Sequence, residues 1–363
     1  MKSINRVLDI FQTFGPREVL GKVYSKSRLW FLETFVIFGV RYSILKRKVK
    51  HIHGPAEISY SPDELLLTCT VRNGELYIDS FMRHYQALGI KHFVFMDNGS
   101  TDRTIEMLTS YDNVTILQTD AKYSDYEGTM KRYMTDRFSK GRWNLFVDID
   151  ELFDYPYSSR LSLCKFHQYL DAHQYTAVIC QMLNLFADIP FAKLESYPDD
   201  SLSEKYPYYD NSAISKTEYR WSKLNNGEIK MHWGGICKTL FDTNSGLTKA
   251  SLVKVDGKVK TFVGFHQVRN ANIADVSCVL KHYNFIGTFY KKLQDSIENL
   301  TFGKMYDASS FHSKTWSRLQ DEPDLSPKLS TARYLDNIDS LIDEGFILVS
   351  DQYKRWVDNN YVD

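Results

Sequence analysis

Trp143-Asn144-Leu145-Phe146-Val147-Asp148-Ile149-Asp150-Glu151 runs from a mostly apolar stretch, short enough for one buried strand, straight into a cluster of acids. Two carboxylates therefore sit where a buried strand stops. Residues two apart on a strand point to the same side, so Asp148 and Asp150 can address one ligand together. Carboxylate oxygens so arranged suit a hard divalent cation such as Mg²⁺ or Mn²⁺, and a cation held there can grip a diphosphate. Taken alone, the stretch reads better as a solvated turn with acidic residues. The sequence around it changes that balance.

Upstream, strand and helix alternate. Leu65–Val71 reads as a strand and Glu75–Leu88 as a helix, with Leu76, Phe81 and Tyr85 among its apolar positions and Gly89 closing it. His92–Met96 is a second strand, Thr101–Ser110 a short helix and Val114–Leu117 a third strand. A helix around Glu127–Phe138 leads into Trp143–Val147, the fourth strand. This rhythm predicts an α/β fold: a mostly parallel sheet flanked by helices and joined by right-handed crossovers. Ligands in such folds collect at the carboxyl ends of the strands. Further on, Ile229–Phe241 and Leu252–Val263 read as antiparallel strands, with Asp256-Gly257 as a hairpin signal. After His282 the pattern turns helical, over Phe285–Leu300 and Arg333–Glu344. Residues 196–226, polar and rich in tyrosine, read as a loop or lid.

The 363 residues suffice for one large domain or two modest ones, with the apolar content of a folded protein. Net charge is zero, yet residues 1–50 hold eleven Lys/Arg and three Asp/Glu, a net of +8 that leaves −8 on the remainder. A basic arm on an acidic body suggests an anionic surface as the arm's partner. Leu29–Val40 is apolar, too short to span a bilayer, interrupted by Glu33 and flanked by basic residues. It reads as a helix docked on the body or as an interfacial helix on an anionic membrane, with residues 22–50 making the contact. The acidic body excludes a nucleic-acid binder. Cys69, Cys164, Cys180, Cys237 and Cys278 are odd in number and far apart in sequence, which is neither a zinc pattern nor a disulfide framework. A reducing cytoplasm is the simplest compartment, with the inner face of the cell membrane as a peripheral site.

Three strand ends carry the polar chemistry: Thr70-Val71-Arg72-Asn73-Gly74-Glu75, then Asp97-Asn98-Gly99-Ser100-Thr101-Asp102, then Asp148 to Glu151. Ser100, Thr101 and Asp102 read as turn and cap residues of the following helix. Asp97, at the ligand edge, can accept from a base N–H or a ribose hydroxyl.

These blocks resemble the family 2 glycosyltransferases of GT-A fold, closest to the bacterial branch with "DNGSTD" in place of "DDGSTD". Gly234–Phe241, Leu247-Thr248-Lys249 and Val279–Tyr283 look like that branch's later motifs, so the likeness covers about residues 63–295. It implies a GT-A glycosyltransferase domain over 61–295, between a basic helical extension (1–60) and a C-terminal helical extension (296–363). It further implies an inverting, metal-dependent sugar transfer from a nucleotide-sugar donor, a UDP-sugar foremost, to a glycan or lipid-linked acceptor in surface polysaccharide synthesis. By matching position, Thr70, Arg72, Glu75 and Asp97 would address the nucleoside. Asp148 would approach the ribose or sugar, and Asp150 with His282 would hold the metal. Gly74 interrupts the usual Asn-Glu pair, and Asn98 replaces a second aspartate.

Breaking a sugar–phosphate bond leaves negative charge on the departing diphosphate, which a cation and a basic side chain stabilise. Lys238, Lys249 and Arg72 are the basic candidates. The acceptor hydroxyl needs a general base, for which Glu151, Asp188, Glu195 and Asp199 or Asp200 are candidates. His232 and His266 read as core histidines, Trp233 and Tyr283 as packing residues. Two other readings compete: a non-catalytic nucleotide- or sugar-binding protein on the same fold, and a nucleotidyltransferase. Two metal-facing carboxylates argue against the first. Against the second, Arg72-Asn73-Gly74-Glu75 makes a poor phosphate loop.

Overall fold

Strands that read as unbroken apolar runs need cover on both faces, and the chain supplies it. The computed structural model describes residues 38–61, 64–197, 201–262, 265–298 and 311–360. It divides at Lys48/Val49 into two units. Of the first unit the described part is one helix, Phe38–Lys48, with Lys46, Arg47 and Lys48 in its last turn. The basic segment before it and most of the apolar run Leu29–Val40 lie outside the described residues. Among the described residues no helix is long and apolar enough to cross a membrane.

The second unit is built on a 12-stranded sheet. The strands of the unit in the first half are β1 (Lys50–His53), β2 (Leu66–Val71), β3 (His92–Asp97), β4 (Val114–Gln118), β5 (Trp143–Phe146), β6 (Glu151–Asp154) and β7 (Ala177–Phe186). Then come β8 (Tyr208–Tyr209), β9 (Ile214–Glu218), β10 (Lys223–Leu224) and β11 (Lys230–Gly234). The last are β12 (Thr248–Lys254), β13 (Lys260–Phe262), β14 (Gln267–Arg269), β15 (Asn272–His282) and β16 (Arg333–Tyr334). The main path of the large sheet is β1-β4-β3-β2-β5-β12-β7-β15-β10. Two further pairs, β9 with β11 and β13 with β14, stand apart from it. β4, β3, β2 and β5 are parallel neighbours, as are β7 and β15. β12 runs antiparallel between β5 and β7, and β6 folds back antiparallel on the end of β15. The expected mixed α/β fold, a large mostly parallel sheet flanked by helices, is what forms.

Period-2 alternation splits β2 between two layers. Leu67, Cys69 and Val71 join the large core with Phe81, Tyr85 and Phe95. That core is closed by the helix Glu75–Leu88, which buries Tyr77, Ile78, Phe81, Met82 and Tyr85 along one stripe. Gly89 ends the helix at φ 99°, a left-handed value that glycine adopts without strain, and its N–H returns to Gln86 O. On the opposite face a buried polar ladder runs from Ser139 Oγ to Asn144 Oδ1 (2.7 Å) and from Asn144 Nδ2 to Thr68 Oγ1 (2.9 Å). It locks β5 to β2 beside the helix Tyr123–Phe138.

Several elements differ from expectation. Ile229–Phe241 is not one strand: β11 stops at Gly234, where Gly234 (φ 87°) and Gly235 (φ 56°) turn the chain into the helix Ile236–Phe241. Asp256-Gly257 does make a turn, with Asp256 Oδ1 accepting from the amides of Lys258 and Val259. The strand beyond it pairs with β14 rather than β12, because β12 is already bonded on both edges. Residues 196–226 are not all loop, since they contain the helix Leu202–Lys205 and strands β8, β9 and β10, with 198–200 outside the described residues. Arg333–Glu344 holds β16 and the short helix Ser340–Asp343 in place of one long helix. The helix expected at Phe285–Leu300 is observed over Phe289–Glu298, and that at Thr101–Ser110 over Thr104–Leu108.

Tyr85 ties the first helix to the acidic turn. Its hydroxyl donates to Glu151 O at 2.9 Å and accepts from Phe153 N at 2.8 Å, fully buried. Tyr85→Phe strands both groups and is expected to cost about 1–3 kcal/mol in urea unfolding, with an unchanged m-value. Burial also sets an acid response. It lowers His84 to about 4, aided by Lys281, and His232 to about 3, aided by Lys216. Below the ordinary histidine value near 6.5 the unfolded chain takes up these protons and the folded chain does not. Stability should therefore fall as pH drops from about 6.5 towards 4, and His232→Gln should make that slope shallower.

Candidate active site

The first two strand ends are stitched together by side chains that accept from, or donate to, each other's backbone. Asn73, at φ 54°, receives Thr101 N on its Oδ1 (2.8 Å), while its own amide donates to Ser100 Oγ (2.9 Å). Gly74 N donates to Thr104 Oγ1 (2.7 Å) and Glu75 N to Asp102 Oδ2 (3.1 Å). Glu75 Oε2 in return accepts from Arg103 N (3.2 Å). Asp102 also accepts from Thr104 N (3.0 Å), a turn just ahead of the helix, whose N-cap is Arg103 and carries no side-chain cap bond. Ser100 and Thr101 do not cap the helix; they bind the Asn73 loop. Gly74 is required for packing, because a Cβ there would meet Val71 Cγ2 at 2.7 Å and Ile149 Cγ1 at 3.1 Å.

Asp97 is fully buried at the end of β3. It accepts from Gly99 N (3.1 Å), Ser100 N (3.1 Å) and Gln118 Nε2 (3.0 Å), so its oxygens shape the turn. Asn98 donates to the carbonyls of Thr119 and Ala121, both at 2.9 Å. An aspartate at that position would turn acceptor against acceptor, which explains the amide in this motif.

β5 ends at Phe146, and Asp148 and Asp150 occupy the turn beyond it. There they take different partners. Asp148 lies 2.6 Å from Lys249 Nζ and 3.3 Å from Lys131 Nζ. Burial opposes its charge, but the two lysines prevail and hold it well below the usual carboxylate range. Lys131 is 1% exposed, bridges to Glu127 at 2.8 Å and rests 4.4 Å from the centre of the Phe146 ring. Lys249, 4% exposed, is shared with Glu151. Glu151 is buried, its Oε1 on Lys249 and its Oε2 accepting from Asp148 N (3.0 Å). Burial, with Asp148 and Asp150 close by, pushes Glu151 up to about 7 against the pull of Lys249.

Asp150 faces His282 and Lys292. His282 Nε2 is 3.8 Å from Asp150 Oδ1, and Lys292 Nζ is 3.3 Å from Asp150 Oδ2. Burial would raise Asp150, but the Lys292 ammonium foremost outweighs it and lowers it. His282 Nδ1 lies 2.6 Å from Asn184 Oδ1, so with its proton donated there, Nε2 presents a lone pair toward Asp150. Asn184 Nδ2 in turn bonds Cys237 Sγ. His282, Asn184, Cys237 and Lys292 border a cavity of about 230 Å³, with Asn284 and His312 on its wall.

Among the described residues no group of three or more His, Cys, Asp or Glu side chains is arranged around one metal position. Asp150 and His282 supply two donors. Mg²⁺ and Mn²⁺ sites commonly stop there and complete their shell with phosphate and water, so this pair fits such a cation.

Of the other expected site residues, Thr70 is buried with a hydroxyl that has no hydrogen-bond partner among the described residues, as a group awaiting a ligand would be. Arg72 is exposed at the same strand end. Lys238 is exposed and pairs with Asp242, on the surface helix Ile236–Phe241, so it does not join the carboxylates. Asp188 is exposed and bound to Lys328 (2.5 Å), and Glu195 is exposed. Asp199 and Asp200 lie outside the described residues. His232 is core, and His266 Nδ1 donates to Thr248 O (2.8 Å). Sequence reasoning missed Lys131 and Lys292. The spacing Glu127–Lys131 marks a helix pair, but nothing in the chain announces that Lys131 reaches a strand end 17 residues on. Lys292 sits ten residues after His282 on a helix the sequence does reveal.

No family model matches this chain, and no curated protein does. Among solved structures it is similar to S. aureus TarS, at 18% identity and TM-score 0.26, over 33% of this chain and 22% of that one. It is also similar to S. aureus TarS 1-349, at 12% identity and TM-score 0.33, over 71% of this chain and 72% of that one. The first of these alignments spans about a fifth of the matched chain.

Lys249 is expected to be the strut of the site. Lys249→Met leaves Glu151 buried without its cation and should cost about 3–5 kcal/mol in urea unfolding. Adding Glu151→Gln should recover a large part of that loss. A double variant as unstable as the single one would remove Lys249 from this role.

Proposed function

We propose that the chain is a glycosyltransferase that moves a sugar from a nucleotide-sugar donor to a hydroxyl of a glycan acceptor in surface polysaccharide synthesis. The observation that carries this reading is the meeting of Asp150, His282 and Lys292 at the edge of a cavity of about 230 Å³. The ends of β2, β3 and β5 converge beside them, which is where open α/β sheets bind nucleotides. The sequence resemblance of residues 63–295 to family 2 glycosyltransferases supports the same reading.

In this account Asp150 and His282 would hold Mg²⁺ or Mn²⁺, which supplies charge stabilisation to the departing nucleoside diphosphate. The other tasks fall to the chain. The unpartnered Thr70 hydroxyl and exposed Arg72 receive the nucleoside, UDP foremost, beside the turn that Asp97 and Glu75 hold in shape. Asp148, braced by Lys131 and Lys249, presents an ionised carboxylate toward the ribose or sugar. Transfer with inversion requires a base on the acceptor side. Both oxygens of Glu151 are committed within the protein, so we assign it to bracing and leave Asp188, itself paired with Lys328, and Glu195 as the remaining candidates for the base.

Calorimetric titration of UDP, GDP and CDP, with and without Mn²⁺, tests the reading. One nucleotide should bind in a Mn²⁺-dependent manner, and Asp150→Ala should weaken it by about tenfold or more. Binding that ignores both Mn²⁺ and the substitution would take Asp150 out of the mechanism and favour a binding role.

A further inference from the structure

Of the three lysines beside the carboxylates, Lys292 is the one that solvent reaches. Its side chain is 36% exposed, against 1% for Lys131 and 4% for Lys249. Lys292 Nζ donates to Tyr77 Oη at 2.9 Å, lies 3.3 Å from Asp150 Oδ2, and rests 4.6 Å from the centre of the Tyr77 ring. Tyr77 is fixed in turn. It is buried, and its hydroxyl lies 3.3 Å from both Tyr283 O and Thr288 Oγ1. The ammonium is therefore anchored on one side by a rigid phenol and opens on the other into the cavity that His282 and Asn284 border.

This places one positive charge where a second is expected to bind. A divalent cation at Asp150 and His282 would meet an ammonium already paired with Asp150, and the two repel. A diphosphate entering the cavity attracts both. We propose that Lys292 couples cation and donor: in the donor-free protein it occupies Asp150 and keeps the affinity for a divalent cation low. The donor's diphosphate then draws it off Asp150, so cation and donor bind together. The consequence is an ordered site, in which free metal gains little hold until a nucleoside diphosphate arrives. By linkage the same factor strengthens the nucleotide when metal is present. The inference rests on the glycosyltransferase reading and adds to it a residue that the sequence did not single out.

The test is calorimetry on the full chain with Mn²⁺ alone, with the best-binding of UDP, GDP and CDP alone, and with both together. Wild type is compared with Lys292→Met and Lys292→Arg. Lys292→Met should bind Mn²⁺ alone about tenfold more tightly, and the factor by which nucleotide improves Mn²⁺ binding should fall by about tenfold. Lys292→Arg, which keeps the charge, should retain the wild-type coupling factor to within about threefold. A Lys292→Met protein that melts like wild type, with Mn²⁺ affinity and coupling unchanged, overturns the proposal while leaving the transferase reading intact. If Lys292→Met does not fold, Lys292→Gln is judged by the same two numbers. Wild-type protein that binds no nucleoside diphosphate, with or without Mn²⁺, overturns the transferase reading and this proposal with it.

Discussion

The ammonium of Lys249, held between Asp148 and Glu151, is the contact on which the rest of the site depends. Three acids fall within four residues at the end of β5, and all three are largely buried. Buried carboxylates that close together either lose their charge or find cations. The fold provides cations from three separate elements: Lys131 from the helix Tyr123–Phe138, Lys249 from β12 and Lys292 from the helix Phe289–Glu298. Each is bonded so that its carboxylate keeps a fixed orientation. The arrangement is costly to assemble, because a buried ion pair recovers its desolvation only when the geometry is good. That cost suggests a role beyond stability.

β12 is what makes the arrangement possible. A strand inserted antiparallel between β5 and β7 starts at the edge where its parallel neighbours end. Its first residues, Thr248 and Lys249, therefore stand beside the acidic turn. β15 reaches the same edge from the other side, bringing His282 next to Asp150, and β6 returns along it from Glu151. Asn184 on β7, opposite His282 in register, holds the imidazole. The parallel half of the sheet carries the acidic turn and the loops proposed to face the nucleoside, and the mixed half brings Lys249 and His282 to them.

The parallel half was readable in the sequence because its strands are short apolar runs separated by helices with clear stops, as at Gly89. Asp148, Asp150 and His282 were readable as a motif. Their partners were not, since ion pairs such as Asp148–Lys249 and Asp150–Lys292 join residues 101 and 142 positions apart. No local pattern records such distances. Lys238 and Lys249 look alike in sequence, yet one is exposed on a short helix and the other buried on a central strand. Ile229–Phe241 misled because apolar residues continue through Gly234-Gly235, and only the positive φ of both glycines reveals the break. Glu151 reads in sequence as one candidate base among several, because its burial against Lys249 is a property of the fold and not of the motif.

The central claim is that Asp150 and His282 share one divalent cation with the diphosphate of a nucleotide. Crystals soaked with Mn²⁺ and UDP, measured at the manganese absorption edge, test it directly. An anomalous peak within bonding distance of Asp150 Oδ1, His282 Nε2 and the diphosphate oxygens is the predicted result. Nucleotide bound in the cavity with no peak between those two side chains, or a peak elsewhere on the protein, would contradict it.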